Sequence, residues 1–386
     1  MPDNTTADAP VIAIVGAGLG GLTAALAFAR QGARVTVLER TAELTQIGAG
    51  IQITPNAARA LIDLGLSDAL ADNGIAADAV VPTDAMTGRT VTRFDLRGQN
   101  PKYRFFHRAG LLGALARAAQ AAGVDIRFGV AVTGVSQAGQ VQTTAGPVQA
   151  DLVVGADGIH STMRYFCDPA AEPATFTGQV AWRAIIPAAN VPPEARIWMA
   201  PGRHVVTYPL PDNQLNIVAV QERSDWAEEG WNHADDPANL RAAFADCAPN
   251  LKHLLSQVND CRIWGLFAHD VPSVWHRNPV VLLGDAAHPT LPFLAQGANL
   301  AIEDAYVLAR CVTEHKSLQS ACRRYQQLRR DRVVRAIAAA RGNASKYHLS
   351  GVKRRIAFAG LKAMGAVAPN AFLNRLSWLY DHDVRD

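Results

Sequence analysis

Gly16, Gly18 and Gly21 form a G-x-G-x-x-G pattern directly after the apolar run Val11–Val15, and Glu39 closes the next apolar run. The first glycine permits a tight turn, the second lets backbone approach a pyrophosphate, and the third lets the following helix sit close to its strand. Pyrophosphate charge would then meet the positive helix N-terminus. An acid at Glu39 suits ribose hydroxyls and argues against a phosphorylated ribose in that slot. Arg40 beside it could stack over an adenine or sit solvated on the surface. Two further apolar runs end in similar turns, Gly155–Gly158 with Asp157 and Gly284–Asp285. Asp285 at such a strand end can accept two hydroxyl hydrogen bonds from a sugar alcohol or cap a helix. Gly297, Ala298 and Asn299 open an Ala/Leu-rich helical pattern, so their N–H groups are free to face negative charge. Farther off, His204 and Tyr208 lie four residues apart in a strand pattern. That spacing puts both on one face, as a phenol- or carboxylate-binding pocket would need; a half-buried histidine with a packing tyrosine is the alternative. Arg183 could pair with a substrate carboxylate or close a surface or interdomain salt bridge.

Three strand-end motifs in this order resemble the FAD-dependent hydroxylases of aromatic compounds. Gly155, Ala156, Asp157, Gly158, Ser161 and Arg164 match every fixed position of that group's GADGxxSxxR motif, and Gly284–Pro289 resembles its second FAD motif. The likeness spans about residues 11 to 345. It implies bound FAD, with Asp285 holding the ribityl chain, Asp157 near the ribityl or ring region and Arg108 near the phosphates or ribityl chain. It also implies Gly297, Ala298 and Asn299 beside the ring, and transient NADH or NADPH with O2. The reaction implied is hydroxylation of a small phenolic or hydroxylated aromatic acid through a C4a-hydroperoxyflavin. His204 and Tyr208 are similar to a His-x-x-x-Tyr pattern in branches acting on hydroxybenzoates or hydroxypyridine carboxylates. Gln52 stands where some relatives carry histidine. Pro292 and Phe293 fall where the group shapes its ring pocket, and His288 is expected to fix a turn rather than act as a base. A hydroxylase of a larger substrate, such as a quinone precursor or polyketide, shares these features, and so does a flavin-binding protein that hydroxylates nothing. A flavin halogenase would need a tryptophan-rich motif and a lysine that the stretch around Arg183 lacks.

The elements that must position these groups read as an α/β chain. The pattern predicts strands at 11–15 and 33–38 around a helix at 22–31, helices at 57–64 and 111–122, and strands at 124–128 and 152–154. An antiparallel meander is expected over 130–148. From 176 to 267 short alternating strands dominate, the texture of a mostly antiparallel substrate domain inserted into a Rossmann-like FAD-binding domain formed by 11–175 and 268–345. Residues 1–10 read as a flexible tail. Residues 346–386 read as a helical C-terminal segment, and the preceding helix is expected to break at Gly342–Asn343. No second G-x-G-x-x-G follows a strand, so no dedicated nicotinamide fold is expected.

With 386 residues and 49% hydrophobic content, the chain can bury two cores. Its net charge of +3, without a basic stripe, argues against nucleic acid. Five scattered cysteines lack metal or disulfide spacing, so no metal is expected and a reducing cytoplasmic location is. No apolar run reaches the ~20 residues of a membrane span. The basic stretch Lys353–Arg355 before Ile356 is expected to belong to a terminal helix packed on its own protein rather than on a membrane. The expected state is a monomer or homodimer.

Overall fold

A computed structural model describes residues 9–44, 49–224, 233–368 and 371–386. The expected tail therefore lies outside the described residues up to position 8. Five strands form a parallel sheet in the order Val280–Leu282, Leu152–Gly155, Val11–Val15, Arg34–Glu39 and Asp125–Phe128, with His276–Arg277 antiparallel at one edge. Their near-continuous Val, Ile and Leu runs suit a sheet covered on both faces. The three strands that carry the glycine turns are neighbours, and Val15, Gly155 and Leu282 stand in one row of register. All three turns therefore open at the same, carboxyl, edge of the sheet, where open α/β sheets bind ligands.

Two helices press on this sheet, Leu19–Arg30 and Gly297–Glu314. A side chain at Gly20 would meet Leu283 Cδ1 at 2.7 Å and Ala301 Cβ at 3.1 Å, so a small residue there allows the close fit.

The second sheet has eight strands, in the order His233–Asp235, Cys261–Ala268, Thr175–Pro187, Gln214–Glu222, Arg203–Leu210, Glu194–Ala200, Ala79–Asp84 and Phe94–Asp95. It corrects the expected boundary at 176, because two of its strands come from residues 79–95. Ala79–Asp84 pairs in parallel with Glu194–Ala200, more than a hundred residues away, and carries Pro82, which weakens its strand signal. One face packs on the helices Pro237–Ala243 and Pro249–Ser256 through Trp182, Ile217, Phe244 and Leu251. The other carries a smaller apolar cluster that includes Val220, Trp264 and Phe293.

The expected helix break at Gly342–Asn343 is absent: Leu318–Tyr347 is one helix. Burial of Val333, Ala336, Ile337, Ala340 and Ala344 along one side outweighs the ~1 kcal/mol cost of a mid-helix glycine. The next helix, Gly351–Val367, rests on the body along one half-buried face, Arg354, Ala357, Phe358, Leu361, Met364 and Gly365, with Gly365 close against Thr92 and Arg354 paired with Asp84, while Lys353 and Arg355 are exposed. Among the described residues no helix is long and apolar enough to cross a membrane.

Candidate active site

A cavity of about 620 Å³ runs from the glycine turns to the face of the eight-stranded sheet that carries His204. At the turn end, a side chain on Gly16 would come within 2.5 Å of Ala156 O, in a backbone already at φ +104°, and one on Gly21 within 2.0 Å of Gly16 O. Those two glycines are demanded by the fold itself. Gly18, which lines the cavity, has nothing within 4 Å of such a side chain, so its small size leaves room for a ligand. It is also the N-cap of the helix Leu19–Arg30, whose first turn holds no acid. Glu39 accepts from Ala17 N at 2.8 Å through one oxygen and from Thr41 N at 2.9 Å through the other, which fixes the glycine turn and leaves lone pairs free. Arg40 is exposed at the rim.

Asp285 lines the same cavity, and among the described residues no donor bonds its carboxylate. It caps no helix: the short turn Gly284–Ala286 has Leu283 as its N-cap, and the helix after it has Gln296. Enclosure raises its pKa, against the pull of His288 and Arg108. Arg108 begins the helix Arg108–Ala121 and is open to the cavity, although the protein around it lowers its pKa. In the helix Gly297–Glu314 the first backbone bond runs from Leu300 N to Gln296 O, so the N–H groups of Gly297, Ala298 and Asn299 are unspent within the helix. Open backbone at Gly18, unspent N–H groups at two helix starts and a carboxylate without a donor fit the pyrophosphate, ring and ribityl parts of FAD.

Two residues, Asp157 and Phe293, sit otherwise than the sequence suggested. Asp157 lines the cavity, but its carboxylate is committed to the local turn, accepting from Ser161 Oγ at 2.5 Å and Thr162 N at 2.8 Å. The Asn299 side chain does not face the cavity. It is fully buried, accepts from Thr54 N at 2.9 Å and donates to Gln52 O at 2.9 Å, tying the helix to the strand Gly50–Ile53. Phe293, expected in the pocket wall, packs behind His204 with ring centres 5.5 Å apart, while Pro292 lines the cavity.

At the sheet end, His204, Tyr208 and Arg183 all line the cavity. Register explains why: Arg183 pairs with Val218, and Val218 with Val206, which lies midway between His204 and Tyr208. The Arg183 guanidinium sits 4.3 Å over the Trp264 ring. It makes no ion pair among the described residues, so the expected alternative of a salt bridge is not formed, and its Nε is buried without a partner. Burial lowers its pKa to about 10, which leaves it charged at neutral pH. Burial holds His204 well below the usual histidine range, with His348 adding to the effect, and raises the Tyr208 hydroxyl. Gln52 accepts from the Tyr103 hydroxyl at 2.5 Å and lines the cavity together with Tyr208.

A family model described as an FAD binding domain matches residues 8–340. The chain belongs to this family. Among curated members it is 35% identical to the 3-amino-4-hydroxybenzoate 2-monooxygenase of Streptomyces cremeus, over 88% of both chains. It is 32% identical to the 3-hydroxybenzoate 6-hydroxylase 1 of Aquipseudomonas alcaligenes, over 97% of this chain and 98% of that one. A solved variant of Klebsiella pneumoniae HpxO complexed with FAD superposes with a TM-score of 0.82 at 25% identity, covering 95% of this chain and 98% of the other. The protein is an FAD-dependent monooxygenase that uses NAD(P)H and O2.

Sequence reasoning missed the support of this FAD site. Glu303 and Asp304 are fully buried on the helix Gly297–Glu314. Arg329 meets Glu303 at 2.6 Å and Asp304 at 2.7 Å, and Arg332 meets Glu303 at 2.8 Å. Asp304 also contacts His288 Nε2 at 2.5 Å and accepts from Gly284 N at 3.1 Å, so His288 fixes the turn that presents Asp285. Arg164 of the GADGxxSxxR motif donates to Ala286 O and Asp270 O, bracing the same turn. Adjacent acids on one helix followed by arginines on the next were the available signal.

Asp285→Ala is expected to weaken FAD binding about 10- to 100-fold, the loss of a hydrogen bond to a charged acceptor at ~1.5–3 kcal/mol. The flavin-to-protein absorbance ratio after dialysis measures it; a fully yellow variant would remove Asp285 from the site.

Proposed function

We propose that the protein hydroxylates a small phenolic acid, with Arg183 holding the carboxylate and His204 taking the phenolic proton. The observation that carries this reading is a pair of enclosed groups on one wall of the cavity, a cation without a counter-ion among the described residues and a histidine kept neutral by burial. Their backbones lie two strands apart, roughly 10 Å. One aromatic ring bearing a carboxylate and a hydroxyl spans that separation once both side chains reach inward. The carboxylate satisfies the guanidinium, and Trp264 fixes the plane of the fork. His204 accepts the phenolic proton, which makes the ring electron-rich where it meets oxygen. Tyr208, stacked on Phe105, is placed to orient the ring from the same face. Reduced FAD, when bound, supplies the activated oxygen. The turn at Pro289–Pro292 and the apolar sheet face exclude water around it. Two relatives act on hydroxybenzoates by name, in keeping with this assignment. All five cysteines are buried and free, in keeping with a reducing, cytoplasmic location.

The test is NADH and NADPH oxidation by the purified enzyme across hydroxylated benzoates and nicotinates, with hydrogen peroxide measured alongside. One phenolic acid should stimulate oxidation strongly with little peroxide. Arg183→Gln should raise KM for that acid about 10- to 100-fold, the value of one charge-assisted hydrogen-bonded pair. It should leave KM for the matching phenol without a carboxylate nearly unchanged. Equal stimulation by phenols that lack the carboxylate would overturn the assignment of Arg183.

A further inference from the structure

His204 does not end at its own ring. Its Nδ1 lies 2.8 Å from His348 Nε2, and His348 Nδ1 lies 2.7 Å from Glu222 Oε1. The first two side chains are buried, with 3% of the His348 side chain exposed, while that of Glu222 is 54% exposed. Glu222 also lines an open surface depression with Thr177 and Arg223. A chain of two imidazoles and a carboxylate thus joins the wall of the cavity to bulk water. We propose that Glu222, through His348, sets the tautomer of His204 and carries the phenolic proton between the pocket and solvent.

The tautomer follows from what each atom can do. An ionised carboxylate only accepts, so His348 must carry its hydrogen on Nδ1. Its Nε2 is then an acceptor, which obliges His204 to donate from Nδ1. The remaining lone pair of His204 is on Nε2, which has no protein partner among the described residues. That is the state a base needs, because the other tautomer would turn an N–H toward the phenol. Burial lowers the pKa of both imidazoles, with Glu222 partly offsetting this at His348. Both imidazoles are therefore neutral at neutral pH. Other titratable or charged groups around them are Tyr347 beside His204, Tyr208 and Arg183 in the cavity wall, and Arg223 beside Glu222.

The proton count closes. The phenolic O–H bond breaks as a proton passes to His204 Nε2. The Nδ1 proton of His204 passes to His348 Nε2, the Nδ1 proton of His348 to Glu222, and one proton leaves to water. When the hydroxylated product needs its phenolic proton back, the same transfers run inward and restore both tautomers. His348 and Glu222 touch no substrate, so they are positioning and proton-carrying residues.

This inference rests on His204 being the base, and the experiment separates the two. The FAD-loaded enzyme is titrated with 4-hydroxy-3-nitrobenzoate, whose phenolate absorbs visibly, and ionisation of the bound probe is followed against pH. 15N spectra of histidine-labelled enzyme report the tautomers independently. Wild type should show His204 protonated on Nδ1. His348→Phe and Glu222→Leu should each raise the apparent pKa of the bound probe by about one unit, a tenfold effect of the kind that outer partners of a working histidine exert. Glu222→Gln should keep the tautomer, since its amide oxygen still accepts. It should nevertheless slow turnover of the phenolic acid selected above several-fold at unchanged KM, with recovery on adding formate. If His204→Gln abolishes ionisation while His348→Phe and Glu222→Leu match wild type, the base stands and the relay falls. If His204→Gln ionises the probe as wild type does, the base assignment fails and the relay with it. A His204 protonated on Nε2 would also overturn the relay, and Glu222→Leu, at an exposed position, keeps the test open should His348→Phe not fold.

Discussion

Replacing His204 with alanine is expected to lower substrate-stimulated turnover about 10²- to 10⁴-fold, the usual worth of a positioned general base. FAD content should be unchanged, because His204 lies at the opposite end of the cavity from Gly18 and Asp285. The slow oxidation of NAD(P)H without substrate should also persist. The pH dependence carries the sign. In wild type, burial lowers the His204 pKa, so the base stays neutral and the rate holds as pH falls until protonation at that lowered pKa removes it. In the variant the phenol must ionise unaided, so the rate should climb with pH toward a phenol's own pKa near ~10. The gap between the two enzymes should therefore narrow in alkali. Turnover within threefold of wild type at neutral pH would place the base elsewhere. Comparing kcat, KM and peroxide yield makes the measurement complete, since a variant that merely loosens the pocket would leak peroxide without a pH-dependent recovery.

Arg329→Ala should produce the largest loss of stability of any single side-chain change at the FAD site. Glu303, Asp304 and Arg329 are all essentially inaccessible to solvent. Burial alone would push both carboxyl pKa values up; Arg329, with Arg332 on Glu303 and His288 on Asp304, reverses that and holds each at about 2. Removing the guanidinium leaves Asp304 beside the His288 ring alone and Glu303 with only Arg332 as ion-pair partner. Breaking a buried pair costs ~3–5 kcal/mol because the stranded charge cannot be hydrated. A fall in Tm of roughly 5–15 °C is expected. In wild type the lowered carboxyl pKa values stabilise the fold fully above their unfolded values near 4.5 and 3.8, and that stability is lost as pH falls toward about 2. In the variant the same carboxyls are destabilising while ionised, and protonation relieves them. The Tm difference should thus be greatest near neutral pH and shrink as pH falls through 5 to 4. A difference independent of pH would mean that lost packing, not a stranded charge, is responsible.

The sequence by itself determined the cofactor end of this protein. Gly16, Gly18, Gly21 and Glu39 are local in the chain, and each answers to a local demand: a turn at positive φ, a close helix, open backbone, an acid at a strand end. The same holds for Asp285 and the helix start at Gly297–Asn299, where a few consecutive residues specify both conformation and free donors. His204 and Tyr208 were legible as a pair because strand periodicity puts them on one face. What only the tertiary structure decided depends on contacts between distant segments. The strand Ala79–Asp84 joins the second sheet by parallel pairing across more than a hundred residues. Phe293 and the Asn299 side chain turn away from the cavity because better packing and hydrogen-bonding partners lie behind them. Among the described residues Arg183 is left without a counter-ion by the register of three strands, which no spacing reveals. His348 stands 144 residues from His204, and nothing in its own neighbourhood marks it. Periodicity and turn chemistry act over a few residues and can be read directly. Burial, register and charge pairing are set by the whole fold, so the environment that tunes His204 and Arg183 exists only once the chain has closed around them.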